Sequence, residues 1–388
     1  MPMDLPAPAP LASRPTAAIG CLDGYFPSGL LREVCDAGFA PVFLHRLSGV
    51  IGGAGDGPRE MLAATLGALG KAGPLSAWGA GCAIRTAEEA AFFATAGYTW
   101  FSFDLAGLMD DRADTMSPDQ LDAAIVMIED SGCYPQGWHE HHLDREWRTR
   151  AGETLRLGDE ALARAAVKFG PALAHADQMH QAIRPSWAGR GGPPDVELHF
   201  AARRAPASAE EFLFLAIESA RRGLNPAAIA PSLGPVWQPG AEFTGNLGST
   251  LGRFAEIAAL CGSLKTGVHF AAGKTGFPSG KAGLPAAAHG IPGGRLHLDF
   301  EEATWLERLG QMADTQPAAF REWLRVAQEI FAFAVGDMPL AITEEDTRAL
   351  PQVADSGLRE TFLGHVQGRQ LLVATFMDVL QRLGLAAP

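Results

Sequence analysis

Short apolar runs alternate with longer stretches of mixed polarity over the first three quarters of the chain. Eight of these runs are typical of buried parallel strands, because they are brief, apolar and bounded by turn-forming residues. They are Ala17–Leu22, Ala40–His45, Pro74–Trp78, Thr99–Asp104, Val196–Phe200, Ala227–Pro231, Thr266–Phe270 and Arg295–Phe300. Helix-start signals fall between several of them, such as the capping boxes at 86–89 and 208–211. Eight strands alternating with helices predict an α/β fold, a (β/α)8 TIM-type barrel.

Three regions depart from this alternation. The segment from about 105 to 193 is too long for one connection between a strand and its helix, so we expect a long helical insertion there. After Phe300 the pattern is helical again, which predicts extra C-terminal helices at Ala303–Met312, Ala318–Val335 and Asp355–Leu383. Residues 1–15 are rich in proline and alanine without a periodic face, and they predict a disordered or loosely packed N-terminal arm. Residues 16–388 then form a single barrel domain.

The charge balance narrows the range of partners. The 388 residues include 44 acidic and 31 basic side chains, for a formal net charge of −13. We therefore expect no nucleic acid and no membrane surface as a partner, because both bind basic faces. An anionic small-molecule substrate needs a local basic cluster for the same reason.

Cysteine spacing and hydropathy address the cellular compartment. The five cysteines are scattered and include no CxxC pair, which is typical of a reduced, cytoplasmic protein. No apolar run approaches the roughly 20 residues of a membrane span, and the proline-rich start lacks the apolar core of a signal peptide. We therefore expect a cytoplasmic protein, and homo-oligomerisation is left open.

Polar side chains occupy the carboxyl ends of several predicted strands, where barrels carry their active sites. They are His45, Asp104, Glu197, His199, His269, His297 and Asp299. Buried charged and imidazole groups are costly unless they share a site, so this pattern favours a common pocket. Asp104, Glu197, His269 and His297 form a ligand set for a divalent metal, for which Mn, Fe, Co, Ni or Zn suits better than Ca or Mg. Each residue taken singly is equally well explained as a hydrogen-bonded strand end, and this holds most for His45.

Basic residues near these strand ends are candidates for binding a substrate carboxylate. They are Lys168, His199, Arg203, Arg204 and Lys265, with Lys274 as a further reactive group on the loop after His269. A solvated loop explains a lysine or arginine equally well. The GKT at 273–275 is not a phosphate loop, because Val268 stands where the motif needs its first glycine. Trp138–His142 is not HExxH, because one residue separates Glu140 from His142, and the stretch favours solvated histidines.

Six segments carry a resemblance to a known family, and their order and spacing extend over nearly the whole chain. They are 96–121, 164–183, 196–218, 264–277, 295–309 and 368–380, among them LKTGVHFAAGKTGF at 264–277. Through these segments the chain resembles the tagaturonate/fructuronate epimerase family, whose members are similar to metal-dependent sugar epimerases and interconvert two keto-hexuronates. The resemblance implies a sugar-acid substrate, an isomerase activity, and metal or substrate contacts at Asp104, Glu197, His269, Lys274 and His297.

The chain departs from the family pattern at several pocket positions. Ala201 and Ala202 stand in place of an acidic pair, Gly273 in place of an Asp, Asp299 in place of a Lys and Val373 in place of a His. The loop that carries Arg203 and Arg204 is thereby more positive. We therefore expect a changed substrate contact there and poor turnover of tagaturonate relative to close family members.

The chemistry implied by the resemblance constrains the catalytic groups. The inverted carbon of the keto-hexuronate is β to the keto group, so abstraction of an acidic α-proton does not reach it. Metal-assisted retro-aldol cleavage and re-addition reaches it, and Lys274, Asp104 and Glu197 are the candidates for moving the hydroxyl proton. Two alternatives stay open: another metal-assisted aldol or isomerase reaction on a sugar, and a catalytically impaired barrel that binds a sugar acid.

Overall fold

Eight parallel strands close into a barrel in a computed structural model of the protein. The strands are β1 (Thr16–Gly20), β2 (Ala40–Arg46), β3 (Gly79–Ile84), β4 (Trp100–Asp104), β5 (Asp195–His199), β6 (Ala228–Ala230), β7 (Gly267–Ala271) and β8 (Leu296–Asp299). They follow one another around the barrel in sequence order, and β8 pairs with β1. The predicted barrel fold is confirmed.

Six α-helices with complete bounds accompany the strands, and residues 256–257, 260–261 and 264 are helical as well. They are α1 (Ser28–Asp36), α2 (Pro58–Ala72), α3 (Ala87–Ala96), α4 (Pro118–Asp130), α5 (Asp159–Trp187) and α6 (Ala209–Arg221). The structure describes residues 5–11, 14–21, 26, 28–36, 38–46, 57–72, 75–143, 146–148, 154–190, 192–200, 207–232, 256–257, 260–261, 264, 266–271 and 296–299. The predicted C-terminal helices lie outside these residues.

Side chains alternate between two environments along the strands. In β5, Val196 and Leu198 belong to the large hydrophobic core that the helices share. Asp195, Glu197 and His199 alternate with them, and they face the barrel interior because successive strand residues point to opposite faces. A second, smaller apolar cluster joins residues of three strands inside the barrel to Leu11 of the N-terminal segment: Leu11, Ala40, Val42, Trp100 and Ala228. The barrel interior therefore holds an apolar cluster together with the inward-facing polar residues of β5.

The third strand differs from its predicted position. We expected it at Pro74–Trp78, whereas β3 spans Gly79–Ile84. A Gly- and Ala-rich strand carries little of the β-branched signal on which the prediction depended. Small residues are needed here, since a Cβ on Gly81 would lie 2.7 Å from Cγ1 of Val42.

Part of the predicted N-terminal arm packs against the barrel. The Trp78 indole donates to the carbonyl oxygen of Pro6 at 2.8 Å, and Ala9 N–H donates to the carbonyl oxygen of Trp78 at 3.0 Å. Leu11 is buried, and its N–H donates to the carboxylate of Asp195 inside the barrel. Pro6, Ala9 and Leu11 of the predicted arm thus contact the barrel through hydrogen bonds and apolar packing.

The connection between β4 and β5 contains α4 and α5, three 3-10 turns and a two-stranded ribbon formed by Trp147–Arg148 and Thr154–Leu155. The 29-residue helix α5 packs against α3, α4 and α6. Because α3 and α6 belong to the flanking units of the barrel, α5 occupies the position of the helix that follows β4. Helix α4 and the ribbon are additions to the basic barrel.

Two further expectations concern the cysteines and the membrane. All five cysteines lie in described parts of the chain, and none forms a disulfide. Among the helices that the structure describes, none has both the length and the apolar character needed to cross a bilayer.

Candidate metal centre

Three inward-facing residues from separate strands meet inside the barrel. His269 of β7 lies directly beside His297 of β8 in the strand register. Glu197 of β5 is separated from β7 by β6, where Ala228 stands in register with both Glu197 and Gly267. The carboxylate of Glu197 contacts the imidazole of His269 over this intervening strand.

The three side chains form a compact set of potential ligands. One donor atom from each of Glu197, His269 and His297 lies within 4.8 Å of the others. Nδ1 of His269 contacts Oε1 of Glu197, and Nε2 of His297 lies 4.0 Å from Oε2 of Glu197. All three residues are buried, with exposed fractions of 2%, 6% and 2%. A carboxylate and two imidazoles so arranged suit a first-row divalent ion.

Charge and burial set the protonation of this cluster. Burial alone would raise the pKa of Glu197, but the imidazoles of His269 and His297 outweigh it and hold the pKa well below its usual range. Burial lowers the pKa of His297 to about 4, against the opposing effect of Glu197. At neutral pH the cluster therefore offers an ionised carboxylate and a neutral imidazole, the forms that bind a metal.

Two residues that sequence reasoning missed surround His297. The hydroxyl of Thr16 lies 2.7 Å from Nδ1 of His297, and the Trp100 ring stacks on the imidazole with centroids 4.4 Å apart. Thr16 and Trp100 begin β1 and β4 and face the interior. The alternation within each strand indicates that Thr16 and Trp100 face inward. It does not indicate which inward-facing residues of other strands they contact.

Further polar groups from the predicted set stand next to the cluster. Oδ2 of Asp299 lies 3.9 Å from Nε2 of His269, and the His199 ring lies edge-on to the His269 ring at 5.4 Å between centroids. Asp299 is two residues beyond His297 on the same inward face. The predicted convergence of strand ends is therefore seen for β5, β7 and β8.

Asp104 is not part of the cluster that Glu197, His269 and His297 form. Its carboxylate accepts two hydrogen bonds of 3.0 Å from the guanidinium of Arg85, the residue that follows β3. In the strand register Asp104 lies beside His199, one inward position closer to the barrel mouth than Glu197. The expectation of Asp104 as a metal ligand alongside Glu197 is thus not matched by its position, because Arg85 pairs with it at the rim.

Lys168 is buried and forms ion pairs with two carboxylates. Its ammonium lies 2.9 Å from Asp114 and 2.8 Å from Glu211, and the residue is buried. Burial would lower the pKa of Lys168, but hydrogen bonds to Glu211 and Asp114 raise it above its usual value. The lysine charge is thus paired within the fold, and substrate binding by Lys168 stays a prediction. The remaining predicted residues, Arg203, Arg204, Lys265 and Lys274, lie outside the described residues.

His45 is a buried histidine of the protein core. Its Nε2 lies 2.8 Å from the Thr65 hydroxyl and its Nδ1 lies 3.3 Å from the carbonyl oxygen of Gly81. Burial lowers the pKa of His45 to about 4, against the raising effect of the Gly81 carbonyl. The explanation as a hydrogen-bonded core residue, which the sequence favoured for His45, fits these contacts.

The neutral state of His45 predicts a loss of stability in acid. The pKa is about 4 in the folded protein and about 6.5 in an unfolded chain. Stability is therefore fully present above pH 6.5 and falls as the pH drops toward 4, by roughly 3 kcal/mol from this group. Urea unfolding between pH 7.5 and 4.5 is expected to show a smaller pH dependence for His45→Gln than for wild type. Equal dependence would contradict the prediction, and His139→Gln, at an exposed position, is the control.

The histidines of Trp138–His142 differ in their surroundings. His139 and His141 are exposed, as predicted, but His142 is fully buried, with Nε2 3.1 Å from Glu218 on α6. His142 is therefore not solvated, because it pairs with a buried carboxylate and stacks on Phe214. Among the described residues these histidines belong to no group that could hold a metal.

Comparison with known proteins relates this arrangement to one family. A model of the tagaturonate epimerase family (UxaE) matches residues 9–385. The tagaturonate/fructuronate epimerase of Thermotoga maritima is 23% identical over 235 residues, which is 59% of this chain and 46% of that protein. The match thus spans about half the length of this relative.

Solved structures of a second relative have the same fold. The fructuronate-tagaturonate epimerase of Cohnella laeviribosi, in a crystal structure with one glycerol, superposes with a TM-score of 0.70 at 17% identity, over 97% of this chain and 79% of that chain. Its native crystal structure gives a TM-score of 0.68 at 17% identity, over 97% and 83%.

Proposed function

The chain belongs to the tagaturonate epimerase family, and on that premise we propose that it is a metal-dependent epimerase of a keto-hexuronate. Its substrate is tagaturonate, fructuronate or a closely related sugar acid. The observation that carries the proposal is the buried cluster of Glu197, His269 and His297 inside the barrel. These three residues are also among those for which the family resemblance implies metal or substrate contacts.

The cluster suits a divalent ion by its chemistry. Two imidazole nitrogens and one ionised carboxylate oxygen match the preferences of Mn, Fe, Co, Ni or Zn, whereas Ca and Mg prefer shells made of oxygen. The carboxylate of Glu197 is 2% exposed, and a buried carboxylate needs a charged or hydrogen-bonding partner, a role that a bound cation would fill. A bound metal would act as a Lewis acid that stabilises negative charge on the keto oxygen of the substrate.

The reaction needs a group that moves one proton. In retro-aldol cleavage the hydroxyl at the inverted carbon loses its proton, and the bond from that carbon to the α-carbon breaks to give an aldehyde and an enediolate. Re-addition to the other face of the aldehyde re-forms the bond, and the proton returns to the new hydroxyl. The group that carries the proton must therefore act as base and then as acid.

The candidates for proton transfer are not equivalent. Glu197 is deeply buried and its pKa is held low, so it is better suited to holding a metal than to carrying a proton. Asp104 stands one inward position closer to the mouth of the barrel than Glu197, and its carboxylate pairs with Arg85 there. We assign the proton transfer to Asp104 or to Lys274.

Metal analysis combined with a substrate screen tests the proposal. Protein purified without chelator is expected to contain a divalent metal, and NMR of tagaturonate with added Mn, Co, Ni or Zn should show conversion to fructuronate that chelation abolishes. Absence of metal binding and of conversion would contradict it. Metal-dependent binding of the sugar acid without turnover would favour the impaired barrel, and turnover of another sugar only would favour the other aldol or isomerase reaction.

A further inference from the structure

The hydroxyl of Thr16 and the imidazole of His297 form a buried hydrogen bond across two neighbouring strands. Oγ1 of Thr16 lies 2.7 Å from Nδ1 of His297, and each residue is 2% exposed. Thr16 and His297 also stand opposite each other in the register between β1 and β8. The backbone pairing of the strands therefore fixes the distance between the two side chains.

The other ring nitrogen of His297 faces the cluster. Nε2 lies 4.0 Å from Oε2 of Glu197, while Nδ1 faces Thr16. A neutral imidazole carries its proton on one nitrogen, and the nitrogen that binds a metal must be the one without it. Nε2 of the neutral ring can bind a metal only when the proton is on Nδ1, and an acceptor that takes a hydrogen bond from Nδ1–H favours that tautomer.

We propose that Thr16 is a positioning residue for the metal site, acting through His297. Its hydroxyl oxygen accepts the hydrogen bond from Nδ1–H and so keeps Nε2 unprotonated and directed toward Glu197. Trp100 stacks on the same imidazole and restrains the plane of the ring. The inference rests on the proposed metal site. It assigns to Thr16 the role of the acceptor that takes the second ring N–H of a metal-binding histidine and orients the ring.

Thr65 offers a matched control for this role. It is a second buried threonine with its hydroxyl close to an imidazole, 2.8 Å from Nε2 of His45. This pair lies outside the cluster that Glu197, His269 and His297 form. Replacing either threonine by valine removes the hydroxyl group that lies beside a buried imidazole. Of the two, Thr16 is the one beside a proposed metal ligand, His297.

The test is the affinity of the protein for Co²⁺, measured by calorimetry and by the visible absorption of the bound ion. Thr16→Val is expected to bind Co²⁺ roughly 10–100-fold more weakly than wild type. Thr16→Ser keeps the hydroxyl and should bind with nearly wild-type affinity, and Thr65→Val should bind like wild type. Wild-type affinity in a folded Thr16→Val protein would overturn the inference while leaving the proposed metal site intact.

A second measurement applies even if Thr16→Val does not fold. The ¹⁵N resonances of His297 in metal-free wild-type protein, assigned by comparison with His297→Gln, report which ring nitrogen carries the proton. A protonated Nδ1 supports the inference, and a protonated Nε2 overturns it. Wild-type protein that binds no Co²⁺ would overturn both this inference and the proposed metal site.

Discussion

Replacing His269 by Ala is expected to give a folded barrel that no longer retains a divalent metal. Among the described residues, His269 supplies one of the two imidazoles in the cluster with Glu197, and its removal leaves one imidazole and a carboxylate. Loss of a residue that hydrogen-bonds to a metal ligand lowers metal affinity by about 10–100-fold. Loss of the ligand itself should lower the affinity more. Epimerase activity should fall by at least the same factor, and metal content measured on the purified protein is the direct test.

The fold of this variant should persist because the metal is not what orders the barrel. The three proposed ligands come from β5, β7 and β8, and the outward-facing Val196, Val268 and Leu296 of these strands pack in the large hydrophobic core. Circular dichroism of His269→Ala is therefore expected to match wild type, unlike a small zinc module that unfolds without its ion. His139→Ala, at an exposed position, should keep the metal. Full metal content in His269→Ala would exclude the cluster as the metal site.

The barrel was predictable because its buried strands and its helices have different sequence patterns. Seven of the eight predicted strands overlap the observed ones, since buried apolar runs bounded by turns are specific enough to locate them. The failure at β3 has a local cause. Gly81 is required by the close approach of Val42, and a strand selected for small size lacks the residues that identify a strand.

The candidate site was predictable in part, for a reason that lies in the fold. Parallel strands bring their carboxyl ends to one edge, so Glu197, His269 and His297 could be grouped before their contacts were known. Rim contacts depend on loops and helix positions that periodicity does not specify. Arg85 could not be matched to Asp104 from the sequence, and neither could Thr16 to His297, which is 281 residues away.

Glu218→Gln is expected to lower the free energy of unfolding by about 3 kcal/mol. The Glu218 side chain is fully buried and accepts hydrogen bonds from Arg221 at 2.5 Å and Arg222 at 2.7 Å, with His142 at 3.1 Å. Burial would raise the pKa of Glu218, but hydrogen bonds from Arg221 and His142 and the charge of Arg222 lower it to about 2. A shift of this size from the usual carboxyl value also corresponds to about 3 kcal/mol.

The effect should be large because the substitution removes the negative charge that compensates the buried guanidinium of Arg222. The guanidinium of Arg222 also binds Asp177 of α5 at 2.7 Å and donates to the carbonyl oxygen of Cys133, so Glu218 helps to join α6, α5 and the segment after α4. Urea unfolding at pH 7 measures the loss. Glu160→Gln is the matched control, because the Glu160 carboxylate pairs with Arg164 at an exposed position and such pairs contribute about 0–1 kcal/mol. A Glu218→Gln variant no less stable than Glu160→Gln would mean that Asp177 alone compensates the buried arginine.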